Sequence, residues 1–346
     1  MIAISATSCI VTLMNLVEKA VHFGGKLAPL VIPHGLTSGT GLMNPSIFID
    51  DKGQILVNLR HVNYTLYHAE NEQKFPSRFG PLSYLHPEKD QRLVTVNYLC
   101  LLNDDLEMIK HAKVDTSELD VAPMWEFVGE EDCRVVQWLD DYYLVGVRRD
   151  TTTNGVGRME YSRIEIDWDN WTVKEVRRVR IKAPAPNTSY CEKNWIPVLD
   201  KPYHFIKWTM PTELVYANPI SGECEQVFYK QTAIAPKDQR GSSQVIQWGN
   251  MYISITHEVD LFKNYLKQKD AIYRHRLVVW DQELNVVGLS KEFSFLDARV
   301  EFCVGAATHN GNLLVSFGFQ DNAAFILQVP GSVVEDLIME ALAYEN

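Results

Sequence analysis

The residues of this chain whose types and spacing allow chemistry are acids and bases at the starts and ends of short apolar strands. In the segment GEEDCRVVQWLDDYYLVGVRRD, Glu131, Asp132 and Arg134 begin one strand, and Arg148 and Arg149 end the next. A carboxylate beside a guanidinium can act as a general acid or base, and arginine can hold an anion through two parallel hydrogen bonds. Charges at strand ends can also simply be solvated. The segment is therefore either a surface hairpin or one wall of a site.

The same strand–turn–strand pattern recurs along the chain and predicts the fold. Similar segments begin at Asn44, Cys191, Arg240 and Glu301. Their turns, and that of the first segment, centre on Asp51-Lys52-Gly53, Asp140-Asp141, Asp200-Lys201, Gly249-Asn250 and Asn310-Gly311. Asn-Gly and related pairs suit hairpins because they tolerate positive φ. A second kind of hairpin lies between these segments, and a single strand, AAFILQVP, follows the last one.

Five units of four strands predict an all-β fold, a five-bladed β-propeller. A two-sheet sandwich is the alternative, but it does not explain five similar hairpin pairs. Because the last unit has one strand too few, we expect a short N-terminal extension, within Leu27 to Pro33, to complete it. The propeller domain spans residues 1–330. Residues 331–346 form a C-terminal helix and tail, with Ser332 and Glu335 in a capping-box pattern.

The composition excludes several functional classes. The chain has 346 residues, 46% of them hydrophobic and 22% charged, with a formal net charge of −11. This charge disfavours nonspecific binding to nucleic acid or to an anionic membrane. The six cysteines form no C-x-x-C pair, so free thiols are expected instead of a zinc framework. The apolar stretch from Ile2 to Val17 lacks a basic region, and we expect it to pack onto the main domain. We expect a cytoplasmic protein, and the oligomeric state stays open.

In a propeller, the ends of the inner strands meet, and here they bring together many polar residues. The set comprises Asn44, Arg60, Glu131, Asp132, Arg134, Glu192, Lys193, Asn194, Arg240, His257, Glu301 and Asp321. The cations among them can together hold an anion such as phosphate. The carboxylates supply a candidate general acid and anchors for sugar hydroxyls. By strand alternation at most one of Arg148 and Arg149 faces this site, and we expect it to be Arg148.

Four motifs in this set resemble a known family. They are EDCR from Glu131, EKNW from Glu192, ISITHEV with His257, and LLVSFGFQDN with Asp321. In this order, over about Asn44 to Pro330, they resemble the blade motifs of glycoside hydrolase family 130. Its members are five-bladed propellers, mostly inverting β-mannoside phosphorylases, and related propellers are mannosyltransferases.

The resemblance implies a role for each matched residue. Asp132 would be the general acid. The ligands of the attacking phosphate would be Arg60, Arg134, Lys193 and His257. Asn44 and Asp321 would be contacts to the sugar. From their positions at strand ends, independently of the resemblance, we also expect Arg148, Asn194, Arg240 and Glu301 to contact substrate. The expected partner is a sugar or glycan. No metal and no cofactor is required beyond a co-substrate, either inorganic phosphate or a sugar phosphate or nucleotide sugar.

Some departures from the family pattern leave other activities open. Cys133 stands where the family has proline, and the glycine-rich start of the fourth unit is reduced to RGSS. A glycosyltransferase that uses an activated sugar donor is the first alternative, and a noncatalytic glycan-binding propeller is another. A hydrolase would need a second carboxylate to activate water, for which Glu131, Glu192 and Glu301 are the candidates.

Overall fold

The regular structure of the described residues is mainly β-strand. A computed structural model describes residues 14–37, 41–67, 83–85, 92–184, 188–232, 238–263, 265, 267 and 269–343. Within these ranges the chain forms 24 strands and three helices, α1 (Leu16–His22), α2 (His34–Thr37) and α3 (Gly331–Leu342). The all-β prediction is confirmed. None of the described helices is long and apolar enough to cross a membrane.

The strands form antiparallel four-stranded units, which we number in chain order. Unit 1 contains β2 (Leu42–Ile49), β3 (Ile55–Val62), β6 (Leu93–Leu102) and β7 (Met108–Asp115). Unit 2 contains β9 (Glu130–Trp138), β10 (Asp141–Arg148), β11 (Arg158–Asp167) and β12 (Thr172–Arg180). A short parallel contact between β12 and β7 joins these two units into one sheet. The short strands β4 (Thr65–Tyr67) and β5 (Ser83–Leu85) pair with each other, and β8 (Phe127–Val128) pairs with β6.

Three further units follow. Unit 3 contains β13 (Ile196–Pro197), β14 (His204–Trp208), β15 (Thr212–Ala217) and β16 (Cys224–Lys230). In unit 4, β17 (Arg240–Gly241) and β18 (Ile246–Trp248) both pair with β19 (Met251–Lys263), followed by β20 (Lys269–Trp280) and β21 (Val286–Leu289). Unit 5 contains β22 (Glu301–His309), β23 (Asn312–Phe319) and β24 (Ala323–Val329), and its fourth strand is β1 (Lys26–Pro29).

The N-terminal strand completes the last unit, as the sequence predicts. β1 pairs antiparallel with β24 from Lys26–Gln328 to Pro29–Phe325. The apolar stretch before it is described only from residue 14, so the expectation for residues 2–13 lies outside the described residues. In α1, Leu16, Val17 and Ala20 are buried in the core between units 4 and 5.

Hydrophobic cores between neighbouring units close the units into a ring. Each pair shares one buried cluster, represented by Leu56 with Val135 for units 1 and 2, Trp138 with Phe205 for units 2 and 3, Ile206 with Val278 for units 3 and 4, Ile253 with Val315 for units 4 and 5, and Ile326 with Val57 for units 5 and 1. Because the fifth unit packs on the first, the inner strands surround a common centre. This is the geometry of a β-propeller.

A single glutamine links four of the units at this centre. The side chain of Gln244 is fully buried. Its Nε2 donates to Ile47 O of unit 1 at 3.2 Å and to Val135 O of unit 2 at 3.1 Å. Its Oε1 accepts from Ala306 N of unit 5 at 3.0 Å. Gln244 therefore satisfies backbone groups that the inner strands leave open where they converge.

The C-terminal helix is present, but its predicted capping box is wrong. α3 begins at Gly331, its N-cap is Pro330, and no side chain caps it. Ser332 therefore lies inside the first turn, two positions after the N-cap, where its hydroxyl cannot act as the N-cap side chain. The carboxylate of Glu335 instead accepts a hydrogen bond from Trp248 Nε1 at 2.6 Å, which ties the helix to unit 4.

Candidate active site

One cavity receives residues from all five units. We call it the main cavity, and its volume is about 520 Å³. The residues of the predicted set that line it are Asn44, Arg60, Glu131, Asp132, Lys193, Asn194, Arg240, His257 and Asp321. The ring thus brings together residues up to 277 positions apart, from Asn44 to Asp321. A pocket of this size, with polar groups converging from several elements, suits a small polar ligand.

Left-handed Asn and Asp residues build much of the wall. Asn44, Asp132, Asn194 and Asp321 have φ values of 47°, 53°, 62° and 49°. Asn and Asp enter this region more readily than other residues with a side chain. The pairing of β2 with β3 and of β9 with β10 is interrupted by bulges at Asn44 and Asp132. A bulge redirects a side chain out of the regular alternation, which explains how these residues reach the cavity.

Asp132 is a firmly positioned carboxylate of the wall. Its residue is 7% exposed. Oδ1 accepts a hydrogen bond from Asn44 Nδ2 at 2.7 Å and from Arg60 NH1 at 2.8 Å. The same guanidinium donates to Thr95 Oγ1 and to the Tyr64 hydroxyl, and its NH2 lies 3.3 Å from Glu131 Oε2. Arg60 therefore holds the two acids of the EDCR motif beside each other.

The surroundings of Asp132 keep it ionised when the cavity holds no anion. Burial alone would raise the pKa of this carboxyl group. The charges of Arg60 and Lys193 and the hydrogen bond from Asn44 outweigh that effect and hold the pKa below its ordinary value. An anion bound beside these cations would weaken their pull on Asp132. Ligand charge and the protonation of Asp132 are therefore coupled.

The cations of the main cavity differ in how far they are already paired. Arg60 is engaged by Asp132 and Glu131. Arg149 donates to Gly155 O and to the Tyr190 hydroxyl. Arg240 contacts Asp238 at 3.1 Å, and its side chain is 41% exposed. Lys193 is exposed and makes no hydrogen bond or ion pair with any described residue. Lys193 and Arg240 therefore have the most capacity left for an external anion.

His257 contributes an uncharged ring to the wall. It is 2% exposed and lies 2.9 Å from the hydroxyl of Ser242 through Nδ1. Its ring stacks on Tyr273 at a centroid distance of 5.6 Å. Burial, with further contributions from His275 and Arg240, lowers the pKa of His257 well below its ordinary value. It is therefore neutral near pH 7 and offers hydrogen bonding without a formal charge.

Arg134 lies behind the wall. All three of its nitrogens donate to backbone carbonyls, Nε and NH2 to Ser242 O at 3.0 and 2.9 Å, and NH1 to Asp132 O at 2.8 Å. The residue is 1% exposed and does not appear among the residues that line the main cavity. Arg134 therefore connects the bulge at Asp132 to Ser242, whose hydroxyl lies against His257. The structure therefore places Arg134 behind the proposed anion site.

The expected choice between the two arginines at the end of β10 is reversed. Arg149 lines the main cavity, whereas Arg148 lies in a second cavity between units 1 and 2. Arg148 pairs with Glu160 at 2.9 Å, and across the ladder its Cα partner is Glu130. Cross-strand partners point to the same face, so Arg148 follows Glu130 away from the cavity that holds Glu131. Alternation alone leaves the choice of face undetermined.

Glu301 is also placed away from the main cavity. Its residue is fully buried, and its carboxylate accepts hydrogen bonds from the backbone amides of Phe295, Leu296 and Ala298 at 2.6, 2.7 and 2.9 Å. A carboxylate with three such donors organises the loop before β22. The structure thus shows Glu301 holding a loop, while the substrate contact expected from its position at a strand end stays a prediction.

Several wall residues were not singled out from the sequence. They are aromatic, namely Tyr64, Trp125, Phe127, Tyr273 and Phe302. Flat apolar faces beside hydrogen-bonding groups are typical of pockets for sugars and other polar ring compounds. The segment MWEF at residues 124–127, directly after Pro123, is the one local signal, since it places Trp125 in a loop just before the short strand that begins at Phe127.

Three buried acceptors and one buried donor in the wall lack a partner. The acceptors are Asn44 Oδ1, Glu131 Oε1 and Asn194 Oδ1, the donor is Trp125 Nε1, and none of them makes a hydrogen bond within the part of the chain that the structure describes. Leaving a buried polar atom unpaired costs about 1–3 kcal/mol. A ligand that carries hydroxyl groups would supply the missing donors, so the wall is better suited to a polyol than to an apolar ligand.

The second cavity contains a separate cluster of acids. Ser162 Oγ lies 2.6 Å from Glu130 Oε2 and 2.5 Å from Glu175 Oε1. One hydroxyl has one proton and can donate to only one carboxylate. The other carboxyl group must therefore carry a proton of its own. Burial raises the pKa of Glu130 to about 8, which identifies it as the protonated member.

This cluster predicts a pH dependence of stability. Between the ordinary pKa of about 4.5 and about 8, the unfolded state ionises Glu130 while the folded state keeps it protonated. The free energy of unfolding should therefore fall as the pH rises through this window. Replacing Glu130→Gln should flatten the dependence. Urea denaturation of both proteins between about pH 5 and about pH 8 measures the two slopes, and equal slopes would refute a protonated Glu130.

Comparison with solved structures gives the fold independently. The β-1,2-mannobiose phosphorylase from Listeria innocua matches with a TM-score of 0.51 and 12% identity, over 91% of this chain and 97% of that chain. A glycoside hydrolase from Parabacteroides distasonis, so named without an established activity, matches with a TM-score of 0.51 and 13% identity, over 84% and 87%. Its counterpart from Bacteroides ovatus gives 0.51 and 13%, over 85% and 88%. The chain shares the fold of these proteins.

The likeness covers most of each chain, so the shared fold includes the ring that carries the main cavity. No protein-family model matches the sequence, and no curated protein matches it. The identities of 12–13% establish the fold alone. The chemistry of this chain has to be argued from its own residues.

Proposed function

We propose that the protein is a carbohydrate-active enzyme, an inverting phosphorylase that cleaves a mannose-like β-glycoside with inorganic phosphate. The observation that carries the proposal is one firmly held carboxylate, Asp132, on the same cavity as Lys193, which makes no hydrogen bond or ion pair with a described residue, and Arg240, which pairs with the exposed Asp238. Phosphorolysis needs one protein acid, because phosphate itself is the nucleophile. The named activity of the Listeria innocua protein of the same fold also supports the proposal.

In this proposal the phosphate lies between Lys193 and Arg240, within reach of His257. Lys193 has no partner among the described residues, and Arg240 is held only by an exposed aspartate. The neutral ring of His257 adds a hydrogen-bonding group. Arg60 does not bind the phosphate directly in this proposal, because it already donates to Asp132. Arg134 supports the wall from behind through its hydrogen bond to Asp132 O.

The sugar is held by the other side of the wall. The unpartnered oxygens of Glu131 and Asn194 accept hydrogen bonds from its hydroxyl groups. Tyr64, Trp125 and Phe302 offer aromatic faces to its ring. Asn44 keeps Asp132 oriented toward the cavity through their 2.7 Å hydrogen bond, and Asp321 lines the same space.

The reaction follows from these placements. A phosphate oxygen attacks the anomeric carbon from the face opposite the aglycone, and the glycosidic C–O bond breaks. Asp132 donates its proton to the departing oxygen, and the proton lost from hydrogen phosphate restores it. Because the empty site keeps Asp132 ionised, phosphate binding serves a second purpose. Its negative charge offsets Arg60 and Lys193 and raises the pKa of Asp132 toward the range that general acid catalysis requires.

The proposal is tested in the synthetic direction. The protein is incubated with α-mannose 1-phosphate and a panel of sugar acceptors, and the release of inorganic phosphate is measured. Phosphate release that depends on the acceptor, with formation of a β-linked disaccharide, is the expected result. If no acceptor gives phosphate release and a nucleotide sugar is turned over, the protein is a glycosyltransferase and the phosphorylase assignment is wrong. The same cations would then hold the donor diphosphate.

Lys193→Ala should weaken phosphate binding selectively. Loss of a hydrogen bond between charged groups corresponds to roughly a tenfold rise in KM for phosphate, with a smaller change in KM for the sugar. Initial rates measured over a matrix of phosphate and sugar concentrations separate the two constants.

Lys201→Ala is the matched control, since Lys201 is an exposed lysine at the turn of the same unit and does not line the main cavity. Its kinetics should equal those of the unaltered protein. An equal rise of both Michaelis constants in Lys193→Ala would contradict the assignment of Lys193 to the phosphate.

A further inference from the structure

A third cavity, distinct from the one between units 1 and 2, lies directly beside the main one. We call it the side cavity, and its volume is about 270 Å³. Lys193, Asn194 and Arg240 line both cavities and form their common wall. The side chain of Asn194 is buried, and its Oδ1 has no partner among the described residues. The two cavities are therefore neighbours, and the wall between them carries two cations, Lys193 and Arg240.

The side cavity carries an aromatic platform that the main cavity does not share. Trp208 lies at the end of β14 and is 43% exposed, which is unusual for a residue that presents so much apolar surface. Glu192 lies in the same cavity, and its Oε2 accepts from Trp195 Nε1 at 3.1 Å. Its other oxygen makes no hydrogen bond to a described residue. A cavity lined by both an aromatic ring and an available carboxylate oxygen matches a sugar ring, which has an apolar C–H face and hydroxyl groups at its edge.

We propose that the side cavity is a distal saccharide subsite, in which Trp208 stacks on a sugar unit of a ligand that extends out of the main cavity over Lys193 and Arg240. The preferred substrate is then an oligosaccharide longer than a disaccharide. This inference rests on the proposed function in one respect, namely that the ligand of the main cavity is a carbohydrate.

The test measures binding, independently of turnover. β-Linked manno-oligosaccharides of two to five units are titrated by calorimetry into the unaltered protein, into Trp208→Ala and into Tyr229→Ala. Tyr229 is the matched control because it is a 50% exposed aromatic residue of the same unit, on strand β16, and does not line either cavity. We expect affinity to rise with chain length beyond the disaccharide. In Trp208→Ala the affinity for these longer saccharides should fall by roughly tenfold. Tyr229→Ala should keep the gain.

The other outcomes separate the two proposals. If the disaccharide binds and longer saccharides bind with no higher affinity, the distal subsite is overturned and the proposed function stays in place. A gain that survives in Trp208→Ala also overturns it. A guanosine diphosphate that binds the unaltered protein but not Trp208→Ala would assign the platform to a nucleotide base instead of a sugar. Absence of binding by every saccharide overturns both the subsite and the carbohydrate ligand.

Discussion

Replacing Asp132→Asn is expected to lower kcat of the phosphorolytic reaction by about 10²- to 10⁴-fold, because the amide cannot donate a proton to the departing oxygen. Asparagine keeps the oxygen that accepts from Asn44 and Arg60, so the wall of the main cavity should stay in place. Steady-state kinetics with saturating phosphate and sugar measure the loss, and calorimetric titration with the same saccharide measures retained binding.

Asp141→Asn serves as the control for this experiment. Asp141 begins the second strand of the same hairpin, pairs with Arg163 near the surface and does not line the main cavity. Its rate should be unchanged. A noncatalytic glycan-binding propeller would bind saccharide equally well before and after Asp132→Asn and show no turnover in either form. A catalytic rate that survives the substitution would remove Asp132 from the mechanism.

Replacing Gln244→Leu is expected to lower the free energy of unfolding by on the order of 4 kcal/mol, since it leaves buried backbone groups of three other units without their partner. Leucine is similar in size, so the loss of the hydrogen bonds dominates over any loss of packing. The groups affected are Ile47 O, Val135 O and Ala306 N. Equilibrium unfolding in guanidinium chloride, fitted with a common m-value, measures the change.

Gln247→Leu is the comparison for this variant. Gln247 lies three residues further along, is exposed, and donates only to Gly249 O among the described residues. A surface change of this kind should stay within about 0.5 kcal/mol. Equal stability of the two variants would show that the centre of the ring does not depend on Gln244.

The fold was largely predictable because its strands and turns leave local signals. The Asn310-Gly311 turn has positive φ at both residues, and Gly53 has a φ of 78°, as their hairpins require. The missing strand of the last unit followed from the count of strands, and β1 supplies it. The capping box failed because Ser332 and Glu335 fit the pattern locally, while Pro330 and the contact with Trp248 decide where α3 begins.

The site was predictable as a group of residues and less so in its individual contacts. The convergence of Asp132, Lys193 and His257 follows from their positions at the ends of inner strands. The bracing role of Arg134 depends on a carbonyl 108 residues away, which no local pattern indicates. Which of Arg148 and Arg149 faces the main cavity depends on the register of β9 with β10. Contacts of this kind are set by the packing of the ring, so they become visible only with the structure.

The central claim, that phosphate is the nucleophile, is tested most directly by ³¹P NMR of the protein incubated with β-linked mannobiose and inorganic phosphate. The account predicts that the phosphate signal decreases while the signal of α-mannose 1-phosphate grows, in proportion to the mannose released, with no cleavage when phosphate is omitted. Release of mannose at the same rate without phosphate, with an unchanged phosphate signal, would contradict it.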